Sequence, residues 1–67
     1  MFVLFLDRQP RKYFSTFHGA LDAAARKHPS CVVSWVWEGP TYGHFALHAN
    51  VRAARHDHKP VAVIREC

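Results

Sequence analysis

The stretch RHDHKP, residues 55–60, gathers the side chains of this chain best able to do chemistry. His56 and His58 stand two apart, so in an extended segment both imidazoles point to one side and could chelate zinc, while Asp57 points away. A structural zinc needs four ligands, usually with cysteines among them. No Cys-x-x-Cys occurs, and His44 and His48 fall on a different segment, roughly 13 Å apart along a strand. The expectation is therefore no metal and no cofactor, and a solvated cationic loop at RHDHKP.

Two clusters of cations have a chemistry of their own. Arg8, Arg11 and Lys12 follow the first apolar run, and Arg52, Arg55 and Lys59, with His56 and His58, precede the last. If the first and last strands are neighbours, the clusters merge into one patch that attracts phosphates with a steep salt dependence. Otherwise they are solvated charges that keep a small apolar protein in solution. Trp37 and Tyr42 flank a loop and suit a contact surface, whereas Trp35 is expected in the core. The Gly-aromatic motif of an RNA-recognition sheet is absent. So are Gly-x-Ser-x-Gly and phosphate-loop signatures, and the five carboxylates are scattered. No enzyme is expected.

The bulk numbers agree with a binding role. Sixty-seven residues make one domain, 1–67, with a small core. Nine Lys and Arg against five Asp and Glu give +4 with neutral histidines, and adding six protons on the histidines would give +10. Such a chain is drawn to nucleic acid or to an acidic protein surface. The start MFVLFLDRQ lacks the basic leader and cleavage site of a signal peptide, and no apolar stretch reaches membrane-spanning length. A cytoplasmic protein without a membrane partner is expected, with Cys31 and Cys67 as free thiols.

These groups need elements to hold them. FVLFL, residues 2–6, reads as a central strand ended by a turn around Pro10. STFHGALDAAARKHPS reads as a helix: Ser15 or Thr16 caps it, Phe17, Ala20, Leu21 and Ala24 form one buried stripe, and Pro29 stops it. Gly19 marks close packing on the sheet. CVVSWVWE (31–38), HFALHANV (44–51) and VAVIRE (61–66) read as strands, with RAARHDHKP as a connection. The fold class is α+β: a single helix packed on a mainly antiparallel four-stranded sheet, in the order β-α-β-β-β, whose last three strands form a meander. Three of the four strands are apolar on both faces. The face away from the helix must then meet a partner or a second copy, or lie under long Arg, Lys and Tyr side chains.

The helical stretch FSTFHGALDAA, with the strand order, size and charge, resembles small phage-borne proteins, and among them the compact anti-CRISPR proteins that inhibit multisubunit CRISPR complexes. The resemblance implies a stoichiometric inhibitor in a host bacterial cell. Its partner would be a protein subunit of a nucleic-acid-binding complex, and its action a block of the nucleic-acid path or of a conformational step. A rigid face with a few anchoring residues suffices for this, and no pocket is needed. The expected contact residues are Arg8, Arg11, Lys12, Trp37, Tyr42, Arg52, Arg55, His56, His58 and Lys59. A direct DNA- or RNA-binding module using the same cations is the alternative.

Overall fold

A computed structural model describes residues 1–56 and 59–67. Asp57 and His58, and with them the His56–His58 chelate, lie outside the described residues. The elements are β1 (Phe2–Leu6), β2 (Lys12–Phe14), α1 (Phe17–Lys27), β3 (Val32–Trp37), β4 (Gly43–His48), α2 (Val51–Arg55) and β5 (Ala62–Glu66). The fold is α+β, as expected, with one sheet of five antiparallel strands in the order β2-β1-β5-β4-β3. The last strand in sequence is the middle strand of the sheet. Leu4 of β1 pairs with Ile64, and Ile64 pairs with Phe45 of β4. Two hairpins, β1-β2 and β3-β4, are thus joined by β5.

Two elements correct the expected four-strand, one-helix count. β2 is a three-residue edge strand in the segment expected to be a turn. The strand expected over 44–51 stops at His48, because Asn50 turns the chain into α2. Its side chain accepts a 2.8 Å hydrogen bond from the Ala53 N–H, the usual N-cap arrangement. Part of the expected RAARHDHKP connection is therefore helical. The meander holds: β3, β4 and β5 are consecutive neighbours.

Helix α1 forms where its residues dictate. Thr16 caps it, its hydroxyl accepting from the Gly19 N–H at 3.1 Å. A Cβ on Gly19 would come within 3.4 Å of the Phe14 ring, so the glycine lets the helix lie close to β2. His28 ends it and Pro29 follows. Ala20 and Ala24 are fully buried against Leu4, Leu6, Leu47, Ala62 and Ile64, with Phe17 and Leu21 half-buried beside them. Alanines at the contact bring the helix close to the sheet at little cost in side-chain entropy.

On the other face, Val3 and Ala46 are buried outside the cluster that α1 covers. Val3 has Tyr13 and Arg65 as cross-strand neighbours, and the Arg11 guanidinium sits 5.5 Å over the Phe5 ring. Long side chains thus lie over this face around β1, whereas Ser34 and Val36 of β3 are exposed on it.

Leu47→Ala is expected to destabilise the chain by about 2–5 kcal/mol, since Leu47 is fully buried where β4 meets β5. Asn50→Ala should cost about 1 kcal/mol by removing the α2 cap. Chemical denaturation of both variants checks the ranking; equal losses would mean that α2 is integral to the core.

Candidate functional site

The topology carries most of the cations to one end of the sheet. β1 runs towards Leu6, which pairs with Ala62 at the start of β5, and Ala62 also pairs with Leu47 near the end of β4. The turn after β1, the chain leading into β5 and helix α2 after β4 are therefore gathered at that end. Helix α1 runs the same way as β1 and delivers its last turn there. An open groove of about 580 Å³ marks the junction, lined by Leu6, Asp7 and Gln9, by Lys27 and His28 from the end of α1, and by Lys59 and Val61.

Seven of the nine Lys and Arg residues belong to this basic pole: Arg8, Arg11, Arg26, Lys27, Arg52, Arg55 and Lys59, all exposed. Lys12 opens β2, opposite Leu4 in the middle of β1. Arg65, the ninth, is in the opposite half and donates to Glu38. Asp7 is the carboxylate among the described residues of the basic pole. His56, the C-cap of α2, is exposed there, its backbone N–H donating to the Arg52 carbonyl at 3.2 Å. Of the two expected clusters, Arg8 and Arg11 from the first and Arg52, Arg55, His56 and Lys59 from the second lie at this pole. Arg26, Lys27 and His28 were not among the expected contacts, although cations in a helix's last turn are a sequence signal once the helix direction is known.

Arg8 adds a backbone observation. It closes the turn in which Gln9 N–H donates to the Leu6 carbonyl, and its φ of 58° lies in the left-handed region. A residue with a Cβ pays roughly 1 kcal/mol or more there. The strained position holds an exposed cation where glycine would fit better, a pattern associated with functional loops.

The aromatics occupy the other pole. Phe2, Phe17, Phe45, Trp35 and Trp37 form a run of ring contacts, with centroids 6.0, 4.5, 4.7 and 5.5 Å apart, from beneath the start of α1 to the free edge at β3. Helix α1 packs over β1, β2 and β5 and leaves β3 uncovered. Trp35 is consequently 42% exposed, which corrects its expected core role, and Trp37 is 65% exposed. Tyr42 sits in the β3–β4 loop, where Glu38 and Gly39 N–H both donate to its carbonyl and its ring lies against Gly39. Trp37 and Tyr42 are exposed as expected, but at the opposite end from the cations. Of the ten expected contact residues, Arg8, Arg11, Arg52, Arg55, His56 and Lys59 share the basic pole, Trp37 and Tyr42 lie at the other end, Lys12 stands between them opposite Leu4, and His58 lies outside the described residues.

The remaining polar groups make few side-chain contacts among the described residues. His44 Nδ1 approaches Glu38 Oε1 at 3.3 Å without hydrogen-bond alignment, a charge contact once the ring is protonated. Among the described residues no group of three or more His, Cys, Asp or Glu could hold a metal. Cys31 and Cys67 are free thiols. No helix among the described residues is long and apolar enough to cross a membrane. No protein-family model matches this chain, nor does any curated protein or any solved structure.

Arg8→Gly is expected to leave the melting temperature unchanged or raise it, by up to about 1 kcal/mol of stability, because relieved φ strain offsets the added unfolded-state entropy of glycine. A thermal melt that shows clear destabilisation would mean that the Arg8 side chain packs rather than binds. Chelator should not shift the melting temperature; a marked drop would establish a structural metal and overturn the expectation of none.

Proposed function

We propose that this chain is a small non-enzymatic binding protein. It attaches stoichiometrically to a protein subunit of a multisubunit nucleic-acid-binding complex, of the CRISPR defence kind implied by the resemblance, and inhibits it. The observation that carries this reading is the segregation of charge: seven cations at one pole of a chain of net charge +4. A nucleic-acid-handling complex offers both acidic protein surface and bound phosphate to such a pole. Rim charges of this type speed encounter and set orientation. The buried anchor of a stable complex needs apolar area as well, and Trp37 and Tyr42 provide it on a separate surface. The host bacterial cytoplasm belongs to the same proposal.

The clustering of cations also favours a second reading, direct binding of DNA or RNA. Salt separates the two. A direct binder of arbitrary DNA loses affinity as salt rises, with a slope of several in log K against log salt, whereas a protein-directed inhibitor need not bind free DNA at physiological salt.

Capture of the tagged protein from a bacterial lysate expressing CRISPR complexes, repeated after nuclease treatment, tests the proposal. Protein subunits retained after nuclease are the expected result; material lost with the nucleic acid would favour the second reading. Arg55→Glu with Lys59→Glu should weaken that capture while changing stability by no more than about 0.5 kcal/mol, as befits exposed positions. A large drop in melting temperature would make the loop structural instead.

A further inference from the structure

The two edges of the sheet are built differently. β2 is three residues long, carries Lys12 and is preceded by Arg11, the usual ways of blunting an edge. β3 is six residues, VVSWVW, with no charge, proline or glycine. Glu38 N–H donates to the Tyr42 carbonyl at 3.0 Å, so that position is a bonded pair of the hairpin. Antiparallel ladders alternate. Val32, Ser34 and Val36 therefore turn their amides to β4, while Val33, Trp35 and Trp37 turn theirs outward along the free edge.

We propose that β3 is the edge through which two copies of this chain pair, antiparallel about a twofold axis at Trp35, so that two five-stranded sheets become one. This does not depend on the role of the basic pole, but it claims Trp37, so the dimer and the partner complex proposed above compete for that indole. In this register Trp35 faces Trp35 of the second copy, and Val33 faces Trp37, so all three outward residues of each strand find partners. Registers displaced by one pair leave one outward residue unpaired on each strand. The exposed indoles of Trp35 and Trp37 gain apolar contacts across the seam.

Charge identifies the occupant as a second copy in antiparallel orientation. Each basic pole lies at the end of the sheet where β3 begins, so the twofold sends the two poles to opposite ends of the joined sheet. A parallel arrangement would set them side by side. The same operation brings the Glu38 end of one β3 towards the end where Lys27 and His28 lead into the other, acid towards base. The seam between them is uncharged.

Sedimentation equilibrium of the full chain tests this, with a charge swap to fix the register. At the seam Ser34 faces Val36 of the second copy. Both side chains are exposed and point to the face opposite α1, so substituting them leaves the core intact. Ser34→Lys with Val36→Lys sets lysine against lysine twice and should give a monomer at concentrations where the parent is a dimer. Ser34→Lys with Val36→Glu sets lysine against glutamate twice and should restore the dimer. Without any variant, amide exchange at Val33, Trp35 and Trp37 should slow as concentration rises. A parent chain that stays monomeric into the millimolar range overturns the proposal and leaves the edge to some other chain. A dimer indifferent to the double lysine overturns it as well. Loss of the dimer in both variants, with circular dichroism unchanged, overturns the twofold at Trp35.

Discussion

The structure depends on the pairing of β5 with both β1 and β4. Neither hairpin can complete a core alone: β1-β2 brings Leu4 and Leu6, β3-β4 brings Phe45 and Leu47, and Ile64 and Ala62 of β5 lie between them. The ladder extends past the strands, with Val61 N–H donating to the Leu47 carbonyl at 2.8 Å and Cys67 N–H to the Met1 carbonyl at 2.9 Å. A sheet closed by its last strand has contacts far apart in sequence, and such topologies fold slowly because loop closure precedes most of the gain. The same insertion places the segments on either side of the sheet's centre next to one another, and so creates the basic pole.

Sequence distance hides that polarity. Arg8 and Lys59 are fifty-one positions apart, yet the antiparallel register of β1 with β5 brings their segments together, and the direction of α1 adds Arg26 and Lys27. Opposite them, a helix over one part of the sheet leaves the indoles at the β3 edge open. The molecule is thus two surfaces of different chemistry on one scaffold. One is cationic and solvated, suited to steering and orientation, and the other is apolar with a free backbone edge, suited to pairing. Neither requires an enclosed pocket, which a core of this size could scarcely provide.

Where the local signal was strong, the elements could be read directly. FVLFL is β1 at both ends, and Thr16, Ala20, Ala24 and Pro29 set the helix as spacing and capping predict. The misses have physical causes. KYF is too short and too cationic to look like a strand, and it becomes one by pairing with β1 at Leu4, Val3 and Phe2. In HFALHANV the alternation runs on beyond His48, and β-branched Val51 continues it, whereas Asn50 followed by VRAAR carried the available signal of a capped helix. Alternation puts Trp35 on the correct face but not at its correct depth. Alternation tells which face a residue shares, not how far a helix reaches over it. One helix is about 10 Å wide, and five strands at about 4.8 Å spacing are twice that.

Hydrogen exchange of the chain, alone and with a purified multisubunit CRISPR complex, tests the central claim most directly. If the basic pole is where the chain meets its partner, amides at 7–11, 26–28, 52–56 and Lys59 slow in the complex while those of the buried centre of the sheet keep their rates. Unchanged exchange at all of these segments, or protection confined to the loop at 38–42, would contradict the account.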